Sequence, residues 1–199
     1  MKNNKGFTLI ELIAVVVILA VLMLLAVPNV VSTINRNKKE AFIEDAKKFR
    51  AAVEAKLVSD TSIKLPNRSS VIVFTLDKVG KAEIDESPYG TKYSTKYSFV
   101  AVTKDPKTVT VNDGAGTQQK TFSELVYYVN LVTCTTDDCT DSDVEARYGI
   151  NLSQVDNLNT SARYNLVVQA DDVRIPSDIS DYVRTNPGLQ GKSVTIYSK

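Results

Sequence analysis

The sequence predicts an α+β protein, in which a very long N-terminal helix, apolar through its first half, packs on an antiparallel β-sheet. Three observations predict it. Phe7 to Val27 is apolar apart from Thr8 and Glu11. Beyond it, Phe42, Ala46, Phe49, Val53 and Leu57 recur at helical spacing, as one apolar stripe on a 3.6-residue helix. From Ser70 onward the pattern changes to short β-branched and aromatic runs separated by turn residues.

The helix is expected from Phe7 to about Ser59, where the stripe fades and Pro66 lies shortly beyond. Lys38, Lys39, Glu44, Lys47, Lys48, Arg50 and Glu54 fill the faces away from the stripe, with Glu44 and Lys48 spaced as an i,i+4 pair. The one-sided half needs a partner, which a sheet from the same chain supplies. Pro28 removes an i→i−4 bond and is expected to kink or locally open the helix.

Strands are expected at Val71–Leu76, Tyr97–Val102, Thr108–Val111, Tyr164–Gln169 and Ser193–Tyr197, and at Leu125–Val132, where a helix is the alternative. Lys104-Asp105-Pro106-Lys107 reads as a turn, and Asn112-Asp113-Gly114-Ala115-Gly116 as a stronger one. Short connections between successive strands argue for antiparallel pairing. The sequence thus divides into a short polar leader (1–6), an apolar helix half (7–31), an amphipathic helix half (32–59) and a sheet domain (60–199).

Composition removes several function classes. The chain has 199 residues, 24 basic and 23 acidic side chains and a net charge of +1. That is enough chain to bury a core, without the single-sign field of a general nucleic-acid binder. There is no histidine, so Ser/His and Cys/His catalysis and His-ligated metal sites are excluded. No nucleophile–base pair and no phosphate-binding glycine loop is present, so no catalytic residue is expected.

The first thirty residues carry the functional signal. Met1 to Gly6 is polar and holds Lys2 and Lys5. The apolar run that follows exceeds the about 20 residues needed to cross the hydrocarbon layer. Lysines before it and none within it place the N-terminus in the cytoplasm. An ordinary signal peptide has a shorter apolar region and a small-residue cleavage site, and neither is present here. A simple signal anchor accounts for the hydrophobicity but not for Glu11, a carboxylate inside the span. Locally, Thr8-Leu9-Ile10-Glu11 matches the capping box that starts a helix.

Gly6-Phe7-Thr8-Leu9-Ile10-Glu11, the unbroken apolar run and Pro28 together resemble the class III signal of type IV pilins and pseudopilins. The resemblance implies cleavage by prepilin peptidase between Gly6 and Phe7, then N-methylation of Phe7. It implies that Glu11 meets the Phe7 amine of a neighbouring subunit during assembly, since a carboxylate in hydrocarbon is functional by default. It places Pro28 where the packed helix can unwind. The partners implied are other copies of the chain and related pilins, the peptidase, and an assembly platform with its ATPase. The subunit would wait in the plasma membrane before joining an extracellular filament used for adhesion or motility. The alternatives are a pseudopilin of a secretion or competence system, and a signal-anchored surface protein that never polymerises. The Arg36, Lys38, Lys39 group suits lipid headgroups better than nucleic acid.

Cys134 and Cys139 enclose four residues. A disulfide there is the better reading if this segment lies outside the cell, and would stabilise by about 2 kcal/mol. It departs from the larger C-terminal disulfide loop of many pilins. No cofactor is expected. Asp137, Asp138, Asp141 and Asp143 are hard oxygen ligands at close spacing, and major pseudopilins bind calcium in a C-terminal loop. Without EF-hand spacing, a solvated acidic loop is the preferred reading. Thr91-Lys92-Tyr93-Ser94 and Thr95-Lys96-Tyr97-Ser98 form a tandem repeat that suits a half-exposed strand or loop; an adhesion patch is the functional alternative.

Overall fold

A computed structural model describes residues 8–79, 84, 86–112, 114 and 116–198, without the side chains of residues 25 and 141–143. The chain divides between Lys38 and Lys39 into two compact units. Helix α1 (Leu9–Ser59) is 51 residues long.

In the first unit α1 exposes apolar side chains on every side, from Leu9 at 78% to Ile34 at 47%. The helix assignment continues through Pro28. One lost backbone bond does not end a helix whose neighbouring turns are intact.

In the second unit the expected stripe is the buried face of α1. Phe42, Ala46, Phe49, Val53 and Leu57 all lie in the core, joined by Ile43. They pack on a seven-stranded sheet of β1 (Ser70–Thr75), β2 (Lys92–Tyr93), β3 (Phe99–Asn112), β4 (Thr117–Cys134), β5 (Tyr148–Gln154), β6 (Val167–Gln169) and β7 (Ser193–Ile196). The spatial order is β6-β5-β4-β3-β1-β7, with β2 against the end of β4. Phe74, Val100, Val102, Val129 and Leu131 face α1. Their alternates Val71, Val73, Phe99, Ala101 and Tyr128 form a second core with Val183 of helix α2 (Ile179–Thr185) and Leu189. Because the central strands are covered on both faces, they read as continuous apolar runs rather than as alternations.

The fold is α+β as expected, with four local corrections. The sheet is mixed, because β7 pairs parallel to β1, Val71 opposite Val194. The Ser193 amide donates to the Ser69 carbonyl at 2.9 Å and so sets that register. Residues 104–107 are strand, not turn. β3 continues through Pro106, which lies opposite Ser123 of β4. β1 ends its pairing at Thr103, so beyond it β3 has a neighbour on one side only, where a missing N–H is tolerated. Residues 163–166 form a 3₁₀ turn rather than strand, and only Val167–Gln169 pair with β5. Leu76 likewise leaves β1 for a 3₁₀ turn. The reversal between β3 and β4 does fall at Asn112–Thr117, where Gly114 adopts φ +81°. Asp113 and Ala115 of that turn signal lie outside the described residues.

Candidate functional site

Two regions hold the residues singled out by sequence: the start of α1 and the loop closed by the two cysteines. At the start of α1, Thr8 and Glu11 cap the helix reciprocally. The Thr8 amide and hydroxyl both donate to Glu11 Oε2 at 2.8 Å, and the Glu11 amide donates back to Thr8 Oγ1 at 3.3 Å. This is a capping box. It uses one carboxylate oxygen; among the described residues no donor reaches Oε1. Gly6 and Phe7, the expected cleavage and methylation positions, lie outside the described residues.

Downstream of Glu11 every described large apolar residue from Leu12 to Val31 is about half exposed or more. A helix that is apolar all round is stable only in lipid or buried among other helices. Pro28 lies inside this segment. Thr33 Oγ1 donates to the Asn29 carbonyl at 2.9 Å, satisfying its hydroxyl within the helix.

At the far end of β4, Cys134 and Cys139 are joined by a disulfide with Cα atoms 5.3 Å apart. Both sulfurs sit in a small apolar cluster with Val132 and Val173. The tandem repeat holds the loop they close. Ser94 Oγ donates to the Asp137 carbonyl at 2.6 Å. The Thr95 amide and hydroxyl donate to the two Asp137 oxygens at 2.5 and 2.7 Å. Lys96 pairs with Asp138 at 2.9 Å. The buried Arg147 guanidinium donates to the carbonyls of Cys139 and Thr140 at 2.7 and 2.5 Å. Burial opposes the charge on Asp137, but the Thr95 hydrogen bonds outweigh it and hold its pKa below the ordinary 3.8.

In the first repeat copy Tyr93 points inward instead, while Lys92 is exposed. Tyr93 is buried, and its hydroxyl donates to Asp45 Oδ2 at 2.7 Å. Within the repeat, Tyr93 therefore braces the core, while Ser94, Thr95 and Lys96 hold the loop. Of the acidic side chains considered for calcium, Asp137 accepts from Thr95 on both oxygens and Asp138 accepts from Lys96 on Oδ1, and the side chains of Asp141 and Asp143 lie outside the described residues. Among the described residues no group of three acidic or cysteine side chains is arranged to hold a metal ion.

Sequence reading missed the Asp45–Tyr93 pair and the stacked Tyr89 and Tyr148 rings, whose centroids are 3.6 Å apart. Burial pushes the Tyr89 hydroxyl up to about 12. Neither carries a local sequence signal, because the partners lie far apart in the chain.

Residues 1–27 match the family model described as the prokaryotic N-terminal methylation motif. That motif is the class III signal peptide of type IV pilins and pseudopilins, so the chain carries the signal of a pilin-type structural protein. The motif implies processing by prepilin peptidase and assembly into polymers. No curated protein and no solved structure matches the chain.

Proposed function

We propose that the chain is a type IV pilin, a structural subunit of an extracellular filament. The observation that carries this reading is a long, all-round apolar helix interrupted by one carboxylate, Glu11, five positions after Gly6. Cleavage between Gly6 and Phe7 would create an α-amino group with a pKa near ~8, a cation within the same apolar setting. Glu11 Oε1 would accept it from a neighbouring copy, so that two charges that are each unfavourable in lipid offset one another. The pair sets helix register as the subunit leaves the bilayer, and the apolar helices bundle as the filament core. Pro28 would supply the point where the packed helix unwinds. Before assembly the chain is anchored in the plasma membrane by the same helix.

The methylation motif suits a pseudopilin of a secretion or competence system equally. The extensive seven-stranded domain favours a pilin that forms a displayed filament surface. Mass spectrometry of the N-terminal peptide from filaments sheared off the cells tests the reading. Methylated Phe7 as the first residue of an abundant filament protein is the expected result. A chain still beginning at Met1 and confined to membranes would overturn it.

A further inference from the structure

A cleft of about 270 Å³ opens between α1 and the middle of β4, within the globular unit. Its floor is the α1-facing side of the sheet. Tyr127 is buried there, with Leu125 and Val155 half-buried beside it. One wall is the flank of α1, where Lys47 and Arg50 stand one turn apart. The Arg50 guanidinium lies 4.7 Å over the Tyr127 ring and pairs with Glu54 at 2.7 Å, so it forms a fixed surface. The opposite wall is Gln154, at the end of β5, and a 3₁₀ turn (Val155–Asn159) that carries Asp156 and Asn159. Leu158 of that turn is fully buried in the main core, which pins the turn against β4. Around the rim, the side chains of Gln154, Asp156 and Asn159 make no hydrogen bond with the described residues.

The chemistry of this lining selects its occupant. Lys47 is paired with Glu44, Arg50 with Glu54, and Glu124 at the cleft edge with Lys107, each at 2.7 Å. The cations on one wall disfavour a cationic guest, and Asp156 on the other disfavours an anionic one. What remains is two side-chain amides that both donate and accept, a carboxylate that accepts, and the ammonium of Lys47, all above an apolar floor. A sugar ring matches that arrangement: it has a face of C–H groups and a rim of hydroxyls that donate and accept. A peptide strand added to β4 fits less well, because the 3₁₀ turn after Gln154 packs against β4 where that strand would run. We propose that this cleft binds a neutral monosaccharide unit, with Gln154, Asp156 and Asn159 hydrogen-bonding its hydroxyls over Leu125, Tyr127 and Val155. The inference goes beyond the filament reading and stands whether or not the chain polymerises. In an extracellular domain the guest would be the exposed end of a surface glycan.

The test uses the full chain in micelles of a detergent without a sugar headgroup, followed by saturation-transfer NMR. The probes are glucose, galactose and N-acetylglucosamine, with glucuronate and triglycine as the acidic and peptide comparisons. At least one neutral sugar is expected to receive saturation through its C–H protons, with a Kd of about 1 mM. Glucuronate and triglycine should bind about tenfold more weakly or not at all. Gln154→Ala with Asn159→Ala should weaken sugar binding about tenfold. The thermal midpoint should stay unchanged, since neither side chain bonds within the domain. Asn159→Trp, at an exposed turn position, should fill the cleft mouth and abolish the response. No response from any of the three sugars, tighter binding of glucuronate or triglycine, or sugar binding that survives both variants would each overturn the proposal. Sugar binding measured on the Glu11→Ala chain, in which filament assembly should fail, keeps the outcome of this test separate from that of the filament reading.

Discussion

Asp45 is only 8% exposed, held by the Tyr93 hydroxyl at 2.7 Å on one oxygen and by Lys48 at 3.0 Å on the other. Tyr93→Phe keeps the ring and removes the donor, leaving a nearly buried carboxylate oxygen unsatisfied. The expected loss is about 1–3 kcal/mol in denaturant unfolding. Asp137 gives a pH-dependent counterpart. Its pKa is depressed from 3.8 by Thr95, so its contribution is complete above that value and is lost as pH falls through the lower folded-state pKa. Asp60 shifts the same way through the hydroxyl and amide of Ser62, so acid destabilisation has more than one source. Asp137→Asn should flatten, without abolishing, the fall in unfolding midpoint below pH 3.8, as read by thermal unfolding across an acid series.

At the scale of elements, β3 and β4 are 14 and 18 residues long and each changes character along its length. Phe99, early in β3, is fully buried between sheet and α2, whereas Phe122 on the hairpin is 53% exposed. Phe99→Ala should lose about 3–5 kcal/mol. Phe122→Ala should stay within about 0.5 kcal/mol. The same denaturation experiment reads both, and equal losses would mean that the hairpin packs against the domain. In α1, Pro28 lacks the N–H that would bond the Leu24 carbonyl. Pro28→Ala should restore that bond without altering the helix ends, measured as stronger hydrogen-exchange protection around residues 24–28 in micelles.

For the whole molecule, the disulfide and the helix act at different levels. Cys134→Ser with Cys139→Ser should lower stability by about 2 kcal/mol yet leave the domain folded. Ser94, Thr95, Lys96 and Arg147 still hold the loop; calorimetry checks this. Glu11→Ala should impair filament assembly while leaving cleavage between Gly6 and Phe7 intact. The thermal midpoint of the globular unit should stay unchanged, because Glu11 bonds only Thr8 among the described residues. Filament yield by electron microscopy and the N-terminal mass separate those effects.

The sequence alone determined the long helix, its buried stripe, the sheet-rich second part and the methylation motif. These are periodic or contiguous signals: 3.6-residue spacing, an apolar run of membrane length, a six-residue motif around Gly6. It determined the Asn112–Gly116 reversal for the same reason, because glycine-rich turn chemistry is local. Only the tertiary structure decided the rest. Lys104–Lys107 has the composition of a turn, but β4 pairs with β3 through Pro106 because no strand lies on its other side. β7 runs parallel to β1 because the chain returns past α2 to that edge, which strand composition does not encode. The repeat's two tyrosines look alike in sequence, yet one is braced on Asp45 in the core and the other stays half-buried beside the disulfide loop. Their fates depend on α1 and on the loop after β4, which meet them only once the chain has folded.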